Sequence, residues 1–163
     1  MSIVVREFTR EDIPAMIIIW NEVVEGGIAF PQIEFLNEKS GKDFFESQSF
    51  TGVAIERKTG KVVGLYILHP NNIGRCGHIS NASYAVKGDE RGKKIGEILV
   101  LHCLAKAKEI GFKIMQFNAV VSTNIAALRL YEKLGFVRLG VIPKGFLMKD
   151  GSYQDIIPHY YIL

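Results

Sequence analysis

The sequence has little of what marks secreted, membrane-spanning or disordered proteins. It has only two cysteines in 163 residues, Cys76 and Cys103, which are too few for a disulfide scaffold and favour a reducing compartment. Its longest apolar run, from Ile13 to Trp20, is far too short to span a bilayer and contains Pro14. Charged residues near the N-terminus leave no apolar core for an export signal. We therefore expect a cytoplasmic protein that does not cross a membrane.

The sequence also lacks a strong excess of either charge. Lys and Arg number 20 against 17 for Asp and Glu, a formal net charge of +3. The basic residues are spread along the chain except at Arg91, Lys93 and Lys94, whereas nucleic-acid binders usually gather them with aromatics on one face. We therefore expect a local anionic ligand and no nucleic acid. The apolar share of 48% is that of a globular chain and excludes disorder.

Hydrophobic periodicity predicts one α/β domain over residues 1–163. A helix begins near Thr9 and Asp12, where a capping box is expected, and a weaker helical segment is interrupted or restarted at Ser40-Gly41. The remaining segments are predicted as strands at 3–8, 50–57, 62–68, 78–86, 113–121 and 136–142, helices at 95–110 and 124–134, and a final hairpin that turns at 150–151 and runs to 157. This order indicates a mixed sheet with helices on both faces and a ligand near the carboxyl ends of neighbouring strands.

A basic, glycine-rich loop joins the strand at 78–86 to the helix at 95–110. Free amides at a helix start attract anions, and Gly88, Gly92 and Gly96 allow a phosphate to approach the backbone. By spacing alone, a solvated basic turn explains the loop better. No Gly-Lys-Ser/Thr triplet follows, which excludes a nucleotide triphosphatase loop, and the preceding antiparallel strands disfavour a dinucleotide fold.

Two segments together resemble the GNAT superfamily of acyl-CoA N-acetyltransferases. They are Arg91-Gly92-Lys93-Lys94-Ile95-Gly96, which follows Tyr84-Ala85-Val86, and Asn124 to Phe136. The element order is also that of the family, so the resemblance covers nearly the whole chain. It implies the GNAT fold, acetyl-CoA as cofactor and direct acetyl transfer to an amine. Many relatives dimerise through late strands, so a homodimer is expected.

The resemblance also implies roles for individual residues. The strand residues Tyr84, Ala85 and Val86 and the amides of Arg91, Gly92, Lys93, Lys94, Ile95 and Gly96 would hold the cofactor, together with Asn124 and Tyr131. The family usually has glycine at the position of Lys94, and we expect lysine to adopt helical dihedrals there. Tyr131 matches the general acid that protonates the coenzyme thiolate, although its helical spacing also suits a core aromatic. Asn124 matches a catalytic asparagine, although helix capping alone would explain it.

The acceptor side resembles one branch of the family more closely. The segments around Asn81, Asn118 and Asn124, with the tail from Asp155 to Tyr160, are similar to fungal N-acetyltransferases that act on proline analogues. The resemblance implies that Asn81 contacts a substrate carboxylate, with assistance from Asn118 and Ala119. A role of Asn118 in a β-bulge is the alternative. The loop at 28–35 should line the acceptor side.

The remaining chemical groups give weaker hypotheses. Glu22 and Glu34 are candidate bases, although positions on a helix surface explain them as well. The Cys76-Gly77-His78 triplet is a poor nucleophile–base pair, and Cys103 is expected in the core. The histidines have no metal-ligand spacing, so no metal is expected. The predicted function is acetylation of a small amine-bearing metabolite, with a peptide acetyltransferase and a non-catalytic acyl-CoA sensor as alternatives.

Overall fold

The computed structural model describes residues 2–163, so Met1, the first residue of the expected domain, lies outside the described residues. In chain order the described part contains β1 (Ile3–Glu7), α1 (Ile13–Gly26), α2 (Glu38–Glu46), β2 (Phe50–Glu56), β3 (Val62–Pro70), β4 (Ile79–Val86), α3 (Ile95–Ile110), β5 (Ile114–Val121), α4 (Ile125–Leu134), β6 (Val137–Arg138), β7 (Ile142–Leu147) and β8 (Tyr153–Ile162). Most predicted boundaries lie within two residues of these.

The strands form one mixed sheet, as predicted. Its order is β1-β2-β3-β4-β5-β8-β6, and β7 pairs with β8. Strand β4 runs parallel to β5, and the other pairings are antiparallel. The last strand therefore lies inside the sheet, between β5 and the short outer strands.

Helices cover both faces of this sheet, which confirms the layered architecture. Met16 and Trp20 of α1 and Phe45 of α2 pack against one face. Leu99 of α3 and Leu128 of α4 pack against the other face. Within residues 2–163, no helix combines the length and apolar character needed to cross a bilayer.

The first two helices differ in detail from the sequence prediction. The Asp12 carboxylate accepts a hydrogen bond from the Thr9 amide at 2.7 Å, so the capping box is present, although it closes a single 3-10 turn before α1. Of the two alternatives for Ser40-Gly41, an interruption is wrong because α2 is continuous through Gly41, and a helix start there is two residues late because α2 begins at Glu38. A Cβ on Gly41 would lie 2.7 Å from side-chain carbons of Ile17, so this glycine allows α1 and α2 to pack closely.

The late strands also differ from the prediction. The expected strand at 136–142 breaks after β6, where Gly140 has a φ of 144°, and β7 begins only at Ile142. The final strand is longer than predicted and contains Pro158. A β-bulge in β5 between Phe117 and Val120 lies opposite this proline, which can therefore occupy an interior strand without breaking a regular ladder.

Candidate active site

A gap opens in the middle of the sheet because β4 and β5 separate. Their pairing is limited to Ile79 with Ile114 and Ser80 with Met115, although both strands continue for six more residues, to Val86 and Val121. The β5 bulge at Asn118-Ala119 lies along this gap. Polar backbone groups of both strands are consequently left without a neighbouring strand in the interior of the sheet.

The register of β4 decides which amides face the gap. The Lys87 amide donates to the Val63 carbonyl oxygen, and the ladder continues with Ala85 opposite Leu65. Alternate residues of an antiparallel strand bond to the same neighbour, so the backbone groups of Ala85 are committed to β3. Those of Tyr84 and Val86 are directed towards the gap. Of the three strand residues expected to hold the cofactor, these two offer free amides.

The loop before α3 carries a second set of available amides. Within residues 2–163, no hydrogen bond uses the N–H groups of Gly92, Lys93 or Lys94. Gly92 has a φ of 80°, which suits glycine. Lys94 has a φ of 63° and a ψ of 14°, so the expectation of right-handed helical dihedrals there is wrong. The family's glycine at this position has a physical reason, since the backbone is left-handed immediately before the helix.

Side-chain contacts hold this loop in place. The Glu22 carboxylate of α1 accepts the Gly88 amide at 3.2 Å, which ties the start of the loop to the opposite face of the sheet. Lys93 donates to Glu90 at 2.6 Å. Neither Arg91 nor Lys94 forms an ion pair within the described part of the chain, and both are exposed. Their charges remain available to an anion.

A cleft of about 640 Å³ passes through the gap between the strands. Phe30 and Phe44 line its end on the α1 and α2 face, while Tyr131 and Phe117 line its end on the α3 and α4 face. The uncharged polar side chains that line it are Gln32, Ser47, Gln48, Asn81, Ser83, Asn118 and Asn124, and His69 lines it as well. The loop at 28–35 contributes Ala29 to Gln32 to the lining.

Tyr131 combines an aromatic packing role with access to the cleft. Its ring lies 4.6 Å from that of Phe117 and 5.3 Å from that of Phe136, measured between centroids. Tyr131 lines the cleft, and no hydrogen bond joins its hydroxyl group to another group of residues 2–163. Burial raises the pKa of its phenol, so the group stays protonated at neutral pH and can act only as a donor of a proton. Tyr131 can therefore be a core aromatic and a proton donor at the same time.

Amide side chains bridge the two strands where they separate. The Asn71 Oδ1 atom accepts one hydrogen bond from Asn118 Nδ2 at 2.6 Å and another from Asn81 Nδ2 at 3.2 Å. Gln116 Nε2 donates to Asn118 Oδ1 at 3.1 Å. The structure thus brings together Asn81 and Asn118, which the sequence singled out. No pattern in the sequence marked Asn71, because asparagine after proline is ordinary in a turn.

Asn124 and Ala119 also line the cleft. Asn124 is the N-cap of α4, and its Oδ1 accepts the Ala127 amide at 3.3 Å. The capping role is therefore present, while its Nδ2 group has no partner among residues 2–163. Ala119 lies in the β5 bulge, where its small side chain leaves the gap open.

Several weaker candidates lie away from the cleft. Glu22 holds the Gly88 amide, and Glu34 is exposed; neither lines the cleft, so neither is placed to act as a base there. Cys76 and His78 are exposed and not bonded to each other. Cys103 is buried in the core, where burial raises the pKa of its thiol to about 12. Among the described residues, no group of three or more His, Cys, Asp or Glu side chains could hold a metal ion.

The available groups fit coenzyme A. Three unpaired amides and two exposed cations at the start of α3 suit a diphosphate, and the free edge of β4 suits the amide groups of a pantetheine arm. The arm would lead into the cleft between the strands. A split mixed sheet with these features defines the class of acyl-CoA-dependent N-acyltransferases.

The comparisons with known proteins agree with that class. Residues 19–136 match the Acetyltransferase (GNAT) family. The chain belongs to this family, whose cofactor is acetyl-CoA, and it is an N-acetyltransferase.

Individual relatives cover most of the chain. It is 33% identical over 158 residues to N-acetyltransferase aca1 of Schizosaccharomyces pombe, which covers 86% of this chain and 75% of the relative. It is 26% identical to an L-methionine sulfoximine/L-methionine sulfone acetyltransferase of Pseudomonas aeruginosa, over 96% of this chain and 92% of the relative. A phosphinothricin acetyltransferase from Sinorhizobium meliloti, solved in complex with acetyl-CoA, superimposes with a TM-score of 0.91 at 20% identity over 100% of this chain and 89% of the other. This last likeness concerns the fold.

Proposed function

We propose that the protein transfers the acetyl group of acetyl-CoA directly to the amine of a small metabolite, such as an amino acid or a proline-like analogue. The observation that carries the proposal is a cleft of about 640 Å³, lined by both amide and aromatic side chains, that crosses the sheet where β4 and β5 separate. A cleft of this size suits a small acceptor beside an acetyl group. A relative named for L-methionine sulfoximine and L-methionine sulfone supports an amine of that size.

The cofactor is held mainly by the backbone in this proposal. The amides from Arg91 to Gly96 bind the diphosphate, and the Tyr84 and Val86 amides bond to the arm or to the thioester oxygen. Bound acetyl-CoA supplies the acetyl group as a thioester. A strand amide already fixed in position stabilises the negative charge that develops on that oxygen without further reorganisation.

Tyr131 is the general acid in this proposal. Its phenol is protonated at neutral pH because burial raises its pKa, and its hydroxyl has no partner among residues 2–163, so a proton is available for the departing sulfur. Packing against Phe117 and Phe136 restricts the ring and keeps the hydroxyl at the cleft. Asn124 uses its free Nδ2 group to bond the cofactor arm or a water beside the amine.

The acceptor is held by neutral hydrogen-bonding groups on the α1 and α2 face. The Asn81 and Asn118 amides each have one N–H directed to Asn71 Oδ1, which fixes their orientation. The second N–H of each group remains for a polar or carboxylate oxygen of the acceptor, and Ala119 provides room beside them. Neutral donors favour a small polar acceptor over a highly charged one.

The test is release of free thiol from acetyl-CoA in the presence of an amine panel. The panel contains L-methionine sulfone, L-methionine sulfoximine, phosphinothricin, a proline analogue and a peptide with a free N-terminus. Turnover with one or more small amines, and little with the peptide, is the expected result. Turnover with the peptide alone would favour a peptide acetyltransferase, and calorimetric binding of acetyl-CoA without turnover would favour an acyl-CoA sensor.

A homodimer remains a prediction with some structural support. The outer edge of the sheet, formed by β6 and β7, exposes Val137, Ile142 and Leu147. Exposed apolar side chains along an unpaired strand edge favour association. Light scattering behind size-exclusion chromatography would give the mass in solution.

A further inference from the structure

The residues that line the cleft include no carboxylate to deprotonate the acceptor. An alkylamine is largely protonated at neutral pH and must lose a proton before it can attack a carbonyl carbon. The lining contains no Asp, Glu, Lys or Arg side chain, and its titratable members are His69, Tyr84 and Tyr131. Burial raises the pKa of both tyrosines, so neither forms a phenolate base at neutral pH. Histidine is the remaining candidate.

The hydrogen bond of His69 determines which ring nitrogen is basic. Its Nδ1 atom lies 2.9 Å from the carbonyl oxygen of Pro70. A carbonyl oxygen can only accept, so Nδ1 carries the hydrogen and the neutral ring keeps its lone pair on Nε2. A fixed tautomer with a free Nε2 is the form that a general base requires.

The sheet register places His69 beside the proposed acceptor-binding residues. His69 on β3 lies directly opposite Asn81 on β4, so both side chains project from the same face, with their Cβ atoms about 4.5–5.5 Å apart. The neighbouring walls of the cleft contribute neutral groups, Ser47 and Gln48 after α2 and Gln32 before it. An acceptor held by Asn81 thus lies beside an imidazole with no charged competitor in the lining.

We infer that His69 is the general base that removes a proton from the acceptor amine, directly or through one water molecule. This inference rests on the proposed function and assigns the step that it left open. The ammonium group gives one proton to Nε2, and His69 passes it to solvent. The nitrogen lone pair then forms the bond to the acetyl carbon as the carbon–sulfur bond breaks, and Tyr131 protonates the sulfur. The second proton lost by nitrogen returns to Tyr131 through solvent, so the protons balance.

The first test needs neither substrate nor cofactor. Long-range proton–nitrogen NMR correlations distinguish the two neutral tautomers of a histidine, and loss of the signals in His69→Asn assigns them. With the neutral ring populated at alkaline pH, we expect the tautomer protonated at Nδ1. A ring protonated at Nε2 would have no lone pair towards the cleft and would overturn the inference.

The second test measures kcat/KM for the panel amine that the wild type acetylates fastest. His69→Asn keeps an N–H group for the Pro70 carbonyl oxygen but removes the base, and His78→Asn is the matched control at an exposed histidine outside the cleft. We expect a loss of about 100-fold at neutral pH in the first variant and none in the second. The loss should shrink as the pH approaches the ammonium pKa of the acceptor, because solvent then supplies neutral amine.

The outcomes separate this inference from the proposed function. A loss that does not change with pH indicates a structural role for His69 and contradicts the base assignment, as does a loss below about threefold. If the wild type acetylates no panel member, the proposed function fails. The NMR experiment then still decides whether Nε2 of His69 has the free lone pair that a base requires.

Discussion

Replacement of Lys94 by glycine should stabilise the protein although it removes a charged side chain. Lys94 has a φ of 63°, and left-handed backbone costs an L-residue about 1–2 kcal/mol. Glycine avoids that cost but loses about 0.5–1 kcal/mol more conformational entropy on folding. The difference leaves about 0.5–1 kcal/mol in favour of glycine. For a chain of this length, that corresponds to a rise in Tm of about 1–4 °C.

The neighbouring lysine supplies the matched control. Lys93→Gly also removes one positive charge and also introduces glycine, but Lys93 is not among the residues with positive φ and it loses its contact with Glu90. Thermal melts followed by circular dichroism should therefore show a higher Tm for Lys94→Gly and a lower Tm for Lys93→Gly. Lys144→Gly, at a second left-handed lysine with a φ of 55°, should behave like Lys94→Gly.

The refuting result is a Tm that falls equally in Lys94→Gly and Lys93→Gly. It would mean that Lys94 is not held in a left-handed conformation in solution, and the physical reason for the family's glycine would be lost. Calorimetry on the same variants gives a second measurement. Lys94→Gly and Lys93→Gly should each bind coenzyme A more weakly than the wild type at low salt. The difference in affinity should shrink as added salt screens the charges.

Three further predictions concern catalysis, the acceptor and pH. Tyr131→Phe should lower kcat by about 100-fold or more while the calorimetric affinity for coenzyme A is unchanged; an unaltered kcat would remove Tyr131 as the acid. Asn81→Ala should raise the KM of the acceptor by about 3- to 10-fold, with the exposed Asn72→Ala as control; an effect confined to the KM of acetyl-CoA would reassign Asn81 to the cofactor. Burial alone would raise the pKa of Asp12, but hydrogen bonds from Arg6 and Thr9 outweigh burial and lower that pKa. The ionised carboxylate therefore stabilises the folded protein above the ordinary Asp pKa, and this contribution is lost as pH falls through the lowered pKa. Urea unfolding should find Asp12→Asn less stable by about 1–2 kcal/mol at neutral pH, and the difference should shrink as pH falls through the lowered pKa; a difference that does not change with pH would contradict the linkage.

Local patterns in the sequence predicted the helices well. The helix over residues 95–110 has the predicted bounds, and α3 and α4 end at Gly111 and Gly135 in left-handed conformation, which glycine favours. Asn124 caps α4 as its residue type predicts. These features depend on contacts within four residues, which a single sequence displays directly.

Local patterns failed where distant segments meet. Gly41 suggested a helix break, but the close approach of Ile17 from another helix explains the glycine. The strand at 136–142 looked continuous, yet β6 and β7 are separate because each pairs with a different part of β8. Propensity carries no information on such partners.

The sequence by itself determined the order of elements, the two family segments and the presence of Tyr131 and Asn124 on a helix beside a basic loop. Only the tertiary structure decided that β4 and β5 separate after two paired positions, that Asn71 links Asn81 to Asn118, and that His69 lies in the same cleft. The physical reason is that strand register and a β-bulge are properties of a pair of segments. The direction of an amide or an imidazole therefore depends on a partner strand far away in the chain.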